Sequence, residues 1–185
     1  MIELKNIDFS YGGTQVLKNF SLCVGTGRRI CLFGQSGCGK TTVLRLITGL
    51  EKCVSGSVAI TDGSDFSCTF QEDRLIPCRT VLKNLTLYAK KEKCTAMLDV
   101  LGLGGTENKY PSQLSGGQRR RVSLARCLLT DADIYIFDEP FNGLDGDTAR
   151  LCADLINGKT KGKTVVCVSH NLRDAQLLNA DIVNM

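Results

Sequence analysis

The sequence predicts an α/β fold: a mostly parallel sheet covered by helices, an antiparallel β segment at the N-terminus and a helical insertion at about residues 72–116. Two observations predict it. RRICLFG, DIYIFDEP and TVVCVSH carry apolar runs without alternation, the pattern of strands buried on both faces. The N-terminal runs IELKNIDF and NFSLCV alternate instead. They are separated by glycine turns at Tyr11-Gly12-Gly13 and Gly25-Thr26-Gly27, as antiparallel strands would be.

The remaining elements follow in order. Thr41 to Leu50 reads as a helix, ended by Gly49 or the residues just after it. SGSVAITDG and SCTFQ are short strands. Thr80 to Leu103 turns helical and breaks at Gly104-Gly105 and Pro111. GQRRRVSLARCLL then sets Val122, Ala125, Leu128 and Leu129 on one helical face. One domain over residues 1–185 holds all of these elements.

Composition excludes several function classes. Hydrophobic residues make up 43% and charged residues 23%, which argues against disorder. The net charge of +4 is too weak to imply nucleic acid, and no dense basic patch supports it. The longest basic cluster, Arg119 to Arg121, reads as an exposed helix face. No apolar run is long enough to cross a bilayer, and the N-terminus lacks a secretory pattern. Ten cysteines with one histidine and no CxxC pair fit neither a disulfide framework nor a zinc site. Cys31 and Cys167 sit inside apolar runs and behave as small hydrophobes, which suits a reducing cytoplasm.

The strongest local signal is GQSGCGKT, from Gly34 through Gln35, Ser36, Gly37, Cys38, Gly39 and Lys40 to Thr41. It fits G-x-x-x-x-G-K-[ST], the phosphate-binding loop, with an apolar strand before it and a helix after. The glycines let backbone N–H groups turn toward an anion, and the helix N-terminus adds partial positive charge. Lys40 supplies a point charge for the β- and γ-phosphates, and the Thr41 hydroxyl suits Mg²⁺.

IYIFDE carries acids at a strand's C-terminal end, where ligands of open α/β sheets bind. Successive strand residues point to opposite faces, so Asp138 and Glu139 take different roles. Asp138 is assigned to the metal and Glu139 to general base for in-line attack of water. QLSGGQ, with Ser115, Gly116, Gly117 and Gln118 ahead of an amphipathic helix, is either a second anion-binding helix N-terminus or a plain N-cap followed by flexible glycines.

These segments together closely resemble the nucleotide-binding subunit of ABC transporters. The matching segments, in order, are FSYGG, GQSGCGKTT, FQEDRLIP, LSGGQRRRVSLAR, IYIFDEP, NGLD and VSHN, and they cover essentially the whole chain. The resemblance implies a P-loop NTPase core, ATP and Mg²⁺ as ligands, and a head-to-tail homodimer or pseudo-dimer. Each ATP would lie between the phosphate loop of one copy, including Thr42, and the LSGGQ tip of the other. By similarity Tyr11 would stack on adenine, although its residue type alone also fits a turn. Gln71 would touch Mg²⁺ and the attacking water. His170 would contact the γ-phosphate and hold Glu139, and Asp145 would lie at the dimer interface.

The resemblance further implies integral membrane permease subunits as partners, a solute-binding protein, and a position on the cytoplasmic face of the membrane. The docking surface would lie near Gln71, Arg74, Leu75, Ile76 and Arg79. FQEDRLIPCRTVLKN resembles importers of nitrate, sulfonate or taurine-like solutes. A soluble ABC-type ATPase of iron–sulfur assembly is the alternative, which the ten cysteines make worth testing. Departures from the family pattern are Gly143 where Ala is usual, which could loosen the interface turn, and Asn171 where Asp is common. The chain stops at ADIVNM, the expected last core strand.

Overall fold

A computed structural model describes residues 1–185. Two sheets form. In the first, β1 (Ile2–Tyr11) lies between β2 (Thr14–Val24) and β4 (Ser55–Ile60), all antiparallel. In the second, five parallel strands run in the order β5 (Phe66–Thr69), β6 (Ile134–Asp138), β7 (Thr164–Ser169), β3 (Arg29–Phe33) and β8 (Asp181–Asn184). Because these strands are parallel, all their C-terminal ends reach one edge of the sheet.

Alternation in β1 does not run straight through. Ile2 and Leu4 face inward, the register then shifts, and Ile7 and Phe9 face inward with the opposite parity. Asn6, in the left-handed region at φ 49°, absorbs that shift. β1 and β2 are joined by the two-residue turn Gly12-Gly13.

The central strands divide two cores. Ile30, Leu32, Ile134, Ile136, Val166 and Val168 pack against the first sheet and α1 (Lys40–Ile47). Tyr135, Phe137, Val165 and Cys167 pack on the other face, in the core shared with α4 (Gly116–Leu129) and α5 (Gly146–Lys159). Burial on both faces explains why these strands read as unbroken apolar runs.

Between β5 and α4 lie α2 (Val81–Leu85), α3 (Lys91–Val100) and the single 3-10 turn Pro111–Gln113. The helical stretch expected from Thr80 to Leu103, VLKNLTLYA and then CTAMLDVLGL, forms as these two helices. A final helix, α6 (Leu172–Leu177), connects β7 to β8. The helix expected over Thr41–Leu50 starts at Lys40 and ends at Ile47.

The basic cluster is the main correction. Arg120 is only 6% exposed, and Arg119 and Arg121 are half-buried rather than set on a solvated face. Arg119 donates to the Leu114 carbonyl at 2.8 Å and Arg121 to that of Leu101 at 2.7 Å. α4 is buried on more than one side, with Ser123, Leu124 and Cys127 inside as well as Val122, Ala125 and Leu128. Guanidinium groups entering such a helix's surroundings find backbone acceptors in place of water.

Candidate active site

β3 ends in the phosphate loop, and α1 begins at its far side. Gly39 caps α1 with φ 101°, and a Cβ there would stand 2.8 Å from Leu17 Cδ2 and 3.2 Å from Val16 Cγ1. Only glycine satisfies both the left-handed backbone and the close approach of β2. Lys40, 7% exposed, folds back and donates to the carbonyls of Gly34 at 2.7 Å and Gln35 at 2.8 Å.

Strand alternation positions Asp138. It follows Ile134 and Ile136 on the face toward α1, and its Oδ2 accepts from the Thr41 hydroxyl at 3.2 Å. Burial pushes its carboxyl above the ordinary carboxylate value. The Thr41 hydroxyl, Arg120 and Lys40 oppose that rise, while Glu139 adds to it.

Alternation alone does not place Glu139. Its φ is 49°, a left-handed backbone that costs a non-glycine residue about 1–3 kcal/mol. Its N–H still donates to Val168 at 3.0 Å, which keeps it tied to β7. Glu139 Oε1 lies 2.8 Å from His170 Nδ1, and Oε2 lies 3.4 Å from the Ser169 hydroxyl. The Glu139 side chain is 14% exposed and the His170 side chain 59%, so the pair spans from buried to open.

One cleft is lined by Ser36, Gly37, Lys40, Thr41, Gln71, Asp138, Glu139 and Val168. The structure thus brings the phosphate loop, both acids and Gln71 together, and His170 joins through Glu139. Gln35 and Cys38 lie on the loop beside this cleft, and Thr42 is buried in the first turn of α1.

Other expected residues stand elsewhere. Ser115 caps α4: its hydroxyl accepts from Gln118 N–H at 3.2 Å, and Gln118 Oε1 accepts from Ser115 N–H at 2.9 Å. Gly116 and Gly117 line a separate cleft with Asp73, Arg120, Asn142 and Gly143, and Gln71 borders both. Gly143 uses its backbone freedom, at φ 75°. Tyr11 packs edge-on against Phe9 at 4.7 Å, and its hydroxyl meets Arg45 and Glu51, each at 3.2 Å. Asp145 caps α5. Asn171 caps α6 and leaves the His170–Glu139 contact intact.

Two residues of this site lie within quoted segments but were given no role there. Ser169 donates to Asp174 at 2.7 Å and accepts from Asn171 N–H at 2.9 Å. Arg120 donates to the carbonyls of Phe70, Asp138, Glu139 and Pro140. Bonds from a charged donor are worth about 1.5–3 kcal/mol each, enough to offset the strain at Glu139. The spacing of Arg120, Leu124, Cys127 and Leu128 on a second helical stripe was the signal that could have found it.

The donor set suits Mg²⁺. Thr41 and Asp138 offer two hard oxygens at one end of the cleft, and Mg²⁺ binds through few protein ligands plus substrate phosphates and water. No group of three or more His, Cys, Asp or Glu is gathered anywhere to hold a metal ion. The ten cysteines are free and dispersed among both cores and the surface.

Residues 17–142 match the family described as ABC transporter. The chain belongs to the ABC transporter ATPases. An aliphatic sulfonates import ATP-binding protein of Shouchella clausii is 39% identical over 182 residues, covering 96% of this chain and 74% of that protein. A probable ABC transporter ATP-binding protein of Campylobacter jejuni is 36% identical, covering 100% of this chain and 86% of that one. The dimeric structure of MJ0796, a bacterial ABC transporter cassette, matches with a TM-score of 0.87 at 30% identity, covering 100% of this chain and 94% of that one. A post-hydrolysis state of the same cassette, bound to ADP and Pi, matches at 0.88. This ABC ATPase binds and hydrolyses ATP as the energising subunit of a transporter, with the expected P-loop α/β fold. Nothing in the relatives favours iron–sulfur assembly. No helix is long and apolar enough to cross a membrane.

Proposed function

We propose that this chain binds ATP between its phosphate loop and the Ser115–Gln118 tip of a second copy, hydrolyses it with Glu139 as base, and powers import of a small aliphatic sulfonate. The observation that carries the catalytic part is Glu139 in one cleft with Lys40, Thr41 and Asp138, its carboxylate 2.8 Å from His170. Water attacks the γ-phosphorus and gives its proton to Glu139, the bond from phosphorus to the β–γ bridging oxygen breaks, and ADP leaves with that oxygen. His170 orients the carboxylate and reaches the γ-phosphate. Gln71 contacts the water, and Lys40 steadies the β- and γ-phosphates.

Thr41 and Asp138, with Gln71 beside them, would hold Mg²⁺, which would neutralise negative charge on the triphosphate. Tyr11, 40% exposed as a residue, stacks on adenine. Asp145, on the turn after β6, lies at the dimer interface. Several relatives are named as aliphatic sulfonates import proteins, among them those of Shouchella clausii, Rhodococcus jostii and Agrobacterium fabrum. That supports a sulfonate as solute, integral membrane permease subunits as partners, a solute-binding protein delivering the solute, and a place on the cytoplasmic face of the membrane.

Genetic complementation tests the whole reading. Deleting the chain should abolish growth on a short alkanesulfonate as sole sulfur source, with growth on sulfate kept. Wild type should restore growth and Glu139→Gln should not. Undiminished growth of the deletion strain overturns the solute assignment, and full rescue by Glu139→Gln overturns the base.

A further inference from the structure

Arg120 stands one helical turn beyond Gly116 on α4, and its guanidinium makes four hydrogen bonds and one ion pair. Nε donates to the Pro140 carbonyl at 3.3 Å. Nη2 donates to the carbonyls of Asp138 and, at 2.6 Å, Glu139. Nη1 donates to the Phe70 carbonyl at 2.6 Å and pairs with Asp73 at 3.6 Å. No other side chain offers five N–H groups in a fixed fork. The acceptors are not a random sample of backbone. Three bracket Glu139, whose left-handed conformation must be held, and the fourth immediately precedes Gln71.

We propose that Arg120 is a positioning residue for hydrolysis: it fixes the Glu139 turn and the Gln71 loop to the helix that begins at Ser115. The proposal rests on Glu139 acting as base, and it assigns Arg120 no contact with nucleotide. Arg120 also lines the cleft of Gly116 and Gly117, which Gln71 borders as well.

The test uses the full chain in steady-state ATP hydrolysis, with Arg120→Lys and Arg120→Met made alone and in a Glu139→Gln background. Lysine keeps the charge but has three donors and no fork, and methionine has none. Arg120→Lys should lower kcat at least tenfold and Arg120→Met further. KM for ATP and affinity for a non-hydrolysable analogue should change less than twofold. In the Glu139→Gln background, where the positioned base is gone, Arg120→Lys should cost less than twofold more.

Wild-type kcat in both single variants overturns the proposal. So does a kcat loss matched by an equal loss of folded protein, or the same tenfold drop in the Glu139→Gln background. Should Arg120→Met not fold, Arg120→Lys decides alone. Wild-type hydrolysis by Glu139→Gln itself overturns the base reading and the proposal with it. That result is read in a chain where Arg120 is untouched, so the two failures are distinct.

Discussion

Lys40 holds the phosphate loop closed with two of its three donors, on the carbonyls of Gly34 and Gln35. The third reaches only the Cys38 sulfur, at 3.8 Å, a weak acceptor that an anion can displace. Lys40→Ala therefore removes two things, the charge that meets the phosphates and the pin that shapes the loop. A hydrogen bond to a charged group is worth about 1.5–3 kcal/mol, so ATP affinity should fall roughly 10- to 150-fold. Isothermal titration with a non-hydrolysable analogue measures it, and unchanged affinity would remove Lys40 from the nucleotide site. Asp138 differs in kind: burial raises its carboxyl pKa, so its charge is costly until a cation or its Thr41 bond offsets it.

At the scale of elements, two carboxylates tie the fold together at neutral pH. Asp8 on β1 accepts from the Ser55 hydroxyl of β4 at 2.7 Å and from Asn19 N–H of β2 at 2.9 Å, so it clips all three strands of the first sheet. Asp145 accepts from the N–H groups of Asp147 and Thr148 and from the Thr148 hydroxyl. These bonds favour the charged form. Ser55 and Asn19 lower the pKa of Asp8, and Thr148 and then Asp147 lower that of Asp145, both below the ordinary 3.8. A lowered carboxyl pKa gives stability that is present above the ordinary value and is lost as pH falls through the folded one. The double variant Asp8→Asn, Asp145→Asn keeps an acceptor oxygen at each position but cannot titrate. It should be less stable than wild type at pH 7, with the difference shrinking as pH drops below about 4. Asp138 and Asp174, raised by burial, act in the opposite direction in both proteins, so the difference between the two isolates the clips. Urea denaturation at several pH values reads this, and a pH-independent difference would refute it.

The same scale shows what was legible in the residues. IYIF and VVCV announced two-faced burial because every position in them is apolar, and ADIVNM announced a last core strand, which becomes β8 at the sheet edge. The phosphate loop was legible because its geometry demands particular residues at fixed spacing. Sheet order was not, because the pairing of β3 with both β7 and β8 joins segments more than 100 residues apart. The parity change at Asn6 and the left-handed Glu139 also escaped, since each depends on tertiary hydrogen bonds that local pattern does not encode. Arg120 escaped for a related reason: a charge run is normally solvated, and only the packing of α4 between the sheet and α2 and α3 turns one guanidinium inward.

Across the whole molecule, the two glycine-opened helix tips do not share a cleft. Lys40 and Thr41 line one and Gly116 and Gly117 the other. On the proposed reading, a single chain would hold phosphate at α1 without involving Ser115, and the complete site would need a second copy. Substitution at Ser115 separates these events, provided loss of the helix cap is controlled. Ser115→Arg removes the cap and adds bulk. Ser115→Asp keeps an acceptor for Gln118 N–H and adds a negative charge that suits a helix N-terminus. It should leave the isolated chain at least as stable as wild type while repelling a triphosphate brought by the partner. Both variants should bind ATP analogue with near wild-type affinity and remain monomeric in light scattering. In a Glu139→Gln background, the chain with Ser115 intact should instead dimerise with ATP. Dimers persisting in Ser115→Asp would mean that the α4 tip does not face phosphate across the interface, since no rearrangement of a folded, capped helix hides that carboxylate from an anion held directly against it.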